Sequence, residues 1–516
     1  MTLAGLGITG VLLSQAREPL GIPTVMATSN GVFDNVIVDN DTKNNGASLT
    51  PGVQFNSGGE GVASNRTTSA NGNLFGLDFW VNETKAMSIT NPTQSAYGTV
   101  PFVGIGTQAP QALLHVSGTT PNILLGDSRN IIEAGVVGGT VSGGTGNGVE
   151  GTYGSVGGGY ENVATGQYGS VGGGYGNVAG TYGSVGGGQG NQASGQYGSV
   201  GGGWDNGASG PGAFVGGGGF DGATTAGNMA GGNAATIGGG LGNTASGGNY
   251  VTIGGGYKNT TSAHDATVAG GSSNTASGQG ATVGGGGWDG GTTLGNVAGG
   301  NAATIAGGLG NTAGGNYASV PGGNGNAAAG AYSFAAGNMA QVGSTHSGTF
   351  LFGDSSTFNF PSTAANQFAA RATGGVRFVT GIDGSGNPLA ADTFVMTNTG
   401  MLGVGTATPQ TTLQVNGGVS VAVKTVTSAY TMLTSDFGIL ANASAGAFTV
   451  TLPAASNTGM LVFIKKIDTS TNVVTVSRAG TDTIEGATAE KLATKNKSFT
   501  LIAGGSGVWY IQSTAT

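Results

Sequence analysis

GSVGGGYENVATGQY, running from Gly154 to Tyr168, is followed at once by GSVGGGYGNVAGTY from Gly169 and by GSVGGGQGNQASGQY from Gly183. A phrase this short cannot close a core alone, so its copies must stack on one another. Across residues 141–341 the phrase returns around an apolar anchor: Val141, Val156, Val171, Val185, Val200, Val215, Ile237, Ile253, Val268, Val283, Ile305 and Val320. The anchors recur every 14 to 16 residues except for two steps of 22. That period is too short for a helix pair and suits one coil made of two short strands. In one copy Ser155-Val156-Gly157 is the expected first strand, Gly158 and Gly159 the bend, Asn162 a corner residue, and Val163-Ala164 the return strand.

The two long steps are one insertion made twice. GFDGATTAGNMAGGNAATIGGGLGNTA from Gly219 returns as GWDGGTTLGNVAGGNAATIAGGLGNTA from Gly287, a shift of 68 residues. Stacked coils tolerate such duplication because each coil touches only its neighbours. Small residues at Ala164, Ala179, Ala193 and Ala208 imply a thin core. Burying one Val per coil contributes roughly 1.5–3 kcal/mol, against on the order of 1–2 kcal/mol for ordering each residue's backbone. A partner chain covering an open side is therefore expected, and thirteen or so coils at about 4.7 Å each predict a rod of roughly 60 Å.

Composition narrows the function classes. With 110 glycines in 516 residues and 7% charged residues, the chain is far from the globular average, yet its bias is periodic, which argues for architecture over disorder. A net charge of -8, with Lys258 the only basic residue between Arg129 and Arg371, excludes a nucleic-acid binder that replaces phosphate counterions. No cysteine is present, so neither disulfides nor thiolate metal sites contribute. His115, His264 and His346 share no metal-ligand spacing, no lysine completes a phosphate loop, and GGxGxD calcium repeats are missing, so no cofactor and no metal is expected. No apolar run is long enough to span a membrane.

Outward from the array, two collars bracket it. VGIGTQAPQALLHVSG begins at Val103 and its echo LGVGTATPQTTLQVNG begins at Leu402, a constant offset of 299 residues. Nested inside them are ILLGDS from Ile123 and FLFGDS from Phe350, read as adapters at the array ends. The expected organisation is an N-terminal attachment segment at 1–21, a β-rich domain at 22–97, a collar at 98–134, the Gly-rich array at 135–341, a β adapter and second collar at 342–417, and a C-terminal β-sandwich tip at 418–516. The tip holds seven basic residues against five acids. The fold class is all-β: a Gly-rich parallel β-roll or β-solenoid flanked by small β units and ending in a β-sandwich.

The array, with its recurring SVGGGxxNxASGxY, resembles the head of trimeric autotransporter adhesins of the YadA type, whose parallel β-rolls associate as trimers. The collars, together with TVTLPAA, GMLVFIKK, VTVSRAGTDTIEG and WYIQS, resemble phage tail-fibre and related trimeric fibre proteins. These resemblances imply a homotrimeric, non-catalytic fibre or spike that attaches to a cell surface, on a virion tail or extracellularly. They imply a docking partner at the N-terminal end, such as a baseplate or another fibre protein, and a glycan or protein receptor. The text shows no heptad stalk and ends in IQSTAT, so a self-anchored adhesin is not expected. A secreted or surface-bound bacterial adhesin or filament is the alternative, with a glycan-degrading tailspike behind it.

Candidate contacts follow the repeat. Tyr153, Tyr168, Tyr182 and Tyr197 precede successive anchors by three residues and should stack along one edge. Tyr160, Tyr175, Trp204, Phe220, Tyr257 and Trp288 occupy the corner after the glycines, either stacking on sugar rings or apolar patches or packing between chains. Glu161, Asp205, Asp221, Asp265 and Asp289 lie near corners, as solvated residues or as carboxylates for glycan cleavage. Lys491, Lys495 and Lys497 offer a basic contact or a solvated strand edge. The expected structural core is Val156, Val171, Val185, Val200, Ile237, Ile253 and Ile305.

Overall fold

The computed structural model describes residues 102–106, 114–456 and 458–515, and of the chain before them mainly the paired strands between residues 24 and 90. The proposed attachment segment at 1–21 lies outside the described residues. Among those described there is no α-helix; apart from one 3-10 turn at Ala390–Asp392, the regular structure is β. Two compact units meet at residues 371 and 372.

In the first unit the repeat folds as a two-sheet parallel solenoid. One sheet has 16 strands and the other 15, and each strand pairs with the equivalent strand of the next coil. Registers keep like residues together: Ser155 pairs with Ser170 and Val156 with Val171, while Val163 pairs with Val178 and Ala164 with Ala179. Each of these strands is two residues long, one side chain turned out and one in, as the pleat requires. The stack is longer than the 135–341 array. It begins at Ile123–Leu124 and ends at Phe368–Arg371, so ILLGDS and FLFGDS are rungs of the solenoid rather than adapters outside it. Fifteen inter-strand steps give about 70 Å at the usual strand spacing.

The core differs from the thin, open one expected. Val156, Val171, Val185, Val200, Ile237, Ile253 and Ile305 are at most 1% exposed, and Ala164, Ala179, Ala193 and Ala208 are fully buried within the single chain. Each coil is closed by a large anchor from one sheet meeting a small residue from the other, so burial of the anchors needs no second chain.

Asparagine supplies the third side, and here the expected corner assignment is corrected. Asn162 is fully buried; the residue before it, Glu161, makes the corner at φ 56°. Asn162 Nδ2 donates to the carbonyl of Gly158 in its own coil at 2.9 Å and to that of Gly174 in the next at 2.8 Å. Its Oδ1 accepts the Asn177 backbone N–H at 3.0 Å, and its own backbone N–H donates in the same way to Asn147 Oδ1. This ladder runs from Asn130 to Asn326 and ends where the Ala340 N–H closes it. Gly159 is part of the device: at φ 89° a Cβ there would collide with the Gly174 carbonyl and with Asn162 Nδ2. Glycine and asparagine three residues apart are thus one structural unit.

The collars fold alike. Leu114–Val116 pairs in parallel with Phe102–Ile105, and Leu413–Val415 with Leu402–Val404, in registers that keep the 299-residue offset. Each collar's first strand also pairs antiparallel with the strand before it, and Gly106 and Gly405 both take positive φ. The first collar closes an eight-stranded N-terminal sheet and the second a four-stranded one.

The C-terminal part has two sheets, of six and four strands, facing one core that includes Val450, Ile464, Val476, Leu501 and Trp509. Their connectivity is not that of an antiparallel sandwich. Val423–Val426, Gly438–Ala441 and Leu461–Lys466 pair in parallel, as do Tyr430–Thr431, Phe448–Thr451 and Val474–Ser477 in the facing sheet. The chain coils between sheets three times before antiparallel strands seal it.

Candidate surface-recognition site

Three features of each coil decide what reaches solvent: the outward strand residue, and two corners. At the corner before the first strand the backbone takes positive φ, and Tyr153, Tyr168, Tyr182 and Tyr197 occupy it at 59°, 57°, 53° and 60°. A left-handed tyrosine costs about 1–2 kcal/mol. Stacking offsets part of this: successive rings are nearly parallel with centroids 5.0, 5.1 and 4.8 Å apart, in the ladder expected from their spacing. Tyr317 and Tyr332 resume it at 5.0 Å. At the C-terminal end of the solenoid, Phe334, Phe350 and Phe368 form a further stack on the outward face of the first sheet.

The second corner follows the glycines. Isolated parallel bridges join Tyr160 to Tyr175 and, further along, Gln189 to Trp204 and Tyr257 to Ser272. Tyr160 and Tyr175 meet in a tilted pair at 5.4 Å, and Trp204 and Phe220 in another at 4.8 Å. Trp204 is half-buried; Tyr160, Tyr175, Phe220, Tyr257 and Trp288 are exposed, Trp288 the most at 63%. Phe220 and Trp288 stand on the two insertions, which form small loops closed by antiparallel bridges to Thr225 and Thr293. The loops leave the asparagine ladder intact, since Asn206 bonds Asn228 and Asn274 bonds Asn296 across them.

Two of the corner acids are engaged with backbone. Asp221 accepts the amides of Thr224 and Ala223, and Asp289 those of Thr292 and Gly291; these bonds hold both carboxyls below the usual carboxylate range. Glu161, Asp205 and Asp265 take positive φ at the corners. His264 Nδ1 accepts the Asn249 amide, and His346 Nδ1 hydrogen-bonds Ser362 Oγ.

In the second unit Lys491 and Lys495 are exposed and Lys497 is half-buried, its ammonium 5.7 Å from the Phe499 ring centroid. The lysine that sequence reasoning passed over is Lys466. It is fully buried and paired at 2.6 Å with Asp468, which also accepts the Ser470 hydroxyl and the amides of Ala443 and Ser470. Burial pushes the Asp468 carboxyl up, but the bonds from Lys466, Ser470 and Ala443 outweigh it and hold the group far below the usual range. The alternation in LVFIKKI was its signal: with Val462 and Ile464 inward, Lys466 is inward too.

No helix among the described residues is long and apolar enough to cross a membrane. The sequence matches no protein-family model and no curated protein.

Proposed function

We propose that this chain is a non-catalytic attachment protein, a homotrimeric fibre or spike of the phage tail-fibre kind with a YadA-like head. In this reading it is held at its N-terminal end by a baseplate or another fibre protein. It stands on a virion tail or outside the cell and meets a receptor through side chains displayed on its surface. The observation that carries the reading is the row of outward aromatics, Tyr160, Tyr175, Trp204, Phe220, Tyr257 and Trp288, on a scaffold whose coils are locked by a buried asparagine ladder. A surface carried on a pre-formed scaffold binds at a reduced ordering cost. The trimer is supported by apolar surface that one chain leaves uncovered, including Phe368 at 72% and Tyr332 at 67% exposure.

The test uses fluorescently labelled full-length protein on a panel of bacterial cells. Saturable binding to some strains is expected, falling at least tenfold when Tyr160, Tyr175 and Trp288 are changed together to Ala. Absence of binding across the panel, or binding indifferent to that triple substitution, would refute the assignment.

A further inference from the structure

The two inserted coils compare themselves. Under the 68-residue shift Phe220 corresponds to Trp288, Thr225 to Thr293 and Gln189 to Tyr257, and the residue in tilted contact with Phe220, Trp204, corresponds to Ser272. In the first block the place beside the loop aromatic is filled, with the Trp204 and Phe220 centroids 4.8 Å apart. In the second block the indole is replaced by a hydroxymethyl group, and an open slot of about 620 Å³ remains, lined by Tyr257, Ser272, Trp288 and Thr293 over Gly256 and Gly271.

The backbone that carries the slot is held by the stack. Gly256 and Gly271 have φ of 96° and 85°, and a Cβ on either would strike the carbonyl of the next coil, so the floor is bare backbone. Tyr257 is bridged to Ser272 along the corner, and the Lys258 ammonium lies 4.9 Å from its ring centroid. Trp288 is held by its bridge to Thr293, and Asp289 beside it is tied to the loop's own amides. Among the described residues neither the Ser272 nor the Thr293 hydroxyl has a hydrogen-bond partner.

Two aromatic side chains, Tyr257 and Trp288, on one opening, with the neutral hydroxyls of Ser272 and Thr293 beside them and an edge open to water, ask for an occupant with apolar faces and a polar rim. A sugar ring in its chair form has this distribution: C–H groups on its faces, hydroxyls around its equator. We propose that Tyr257, Ser272, Trp288 and Thr293 form a binding slot for one neutral hexopyranose unit of a surface glycan; the inference deepens the attachment reading and rests on it.

The test titrates the full chain with maltohexaose, cellohexaose, mannohexaose and galactohexaose, reading tryptophan fluorescence. Ser272→Trp is the key variant, because it rebuilds the filled packing that the first block already accommodates. Saturable binding of at least one hexaose is expected, weakened tenfold or more by S272W and by Trp288→Ala, and unchanged by Tyr510→Ala, an exposed aromatic of the second unit. No saturable binding of any hexaose, or binding that survives S272W, overturns the slot. So does a change in sedimenting mass on S272W, which would make the slot a contact between copies of the chain. Cell binding separates the two levels: cells bound equally by wild type and S272W refute the slot and leave attachment standing, whereas sugar binding without cell binding refutes attachment and leaves the slot.

Discussion

At the residue scale the repeat is governed by a glycine and an asparagine. Asn162→Ala would strand the carbonyls of Gly158 and Gly174 and the Asn177 amide in a dry interior, and each buried polar group left unpaired costs about 1–3 kcal/mol. We expect N162A to lower the thermal midpoint of the solenoid clearly, and Glu161→Gly, one residue away at a positive-φ corner, to leave it unchanged or raise it. Calorimetry of the two variants would decide; equal effects would contradict the ladder's role. The inward asparagine was legible only in part. Its constancy beside a neighbour that varies among Gly, Glu, Asp, Lys and Ser was visible, but asparagine's ease at corners suggested exposure, and the carbonyls that hold it inward come from two successive coils. In the second unit, Asp468 is a buried source of pH dependence. Its carboxyl is lowered by folding, so its stabilisation is complete above the ordinary aspartate value of about 4 and is lost as pH falls towards its folded value. Asp468→Ala leaves Lys466 buried without its partner and should cost roughly 3–5 kcal/mol at pH 7. An acid-unfolding curve followed by Trp509 fluorescence should lose part of its limb in this variant; an unchanged curve would contradict the pairing.

At the scale of elements, the anchor spacing gave the coil, its two strands and the stacking of Tyr153 on Tyr168 directly, because in-register parallel pairing converts a constant sequence step into a column. Other features needed three-dimensional context. The N-terminal ILLGDS and the later FLFGDS lie outside the Gly-rich text, yet both pair as rungs, since a rung requires an inward apolar residue and a turn and not the full phrase. The sandwich reading of the C-terminal part anticipated two sheets and one core, but strand text alone does not say whether neighbours run parallel. The duplicated block makes a sharp prediction. Deleting 219–286 joins Gly218 to Gly287 in phase, so ladder, anchors and corners all continue, and the shortened chain should keep its β-type circular dichroism and a cooperative transition. A deletion of 60 residues from the same start breaks the phase and should aggregate. Equal behaviour of the two deletions would argue against coil-by-coil stacking.

For the whole molecule, the sealed interior of each coil removes one reason for expecting partners and leaves another. Val156 and Ala164 need no second chain, but the exposed phenylalanine and tyrosine stacks do present apolar area that association would cover. Trimerisation therefore depends on side chains outside the core, a distinction that the thin-core argument from sequence could not make because it had no asparagine wall to count. Sedimentation equilibrium on the full-length protein measures the outcome most directly. The account predicts a single species at three times the 49.6 kDa chain mass, persisting on dilution to the micromolar range; a species of 49.6 kDa at every concentration would contradict the trimeric fibre.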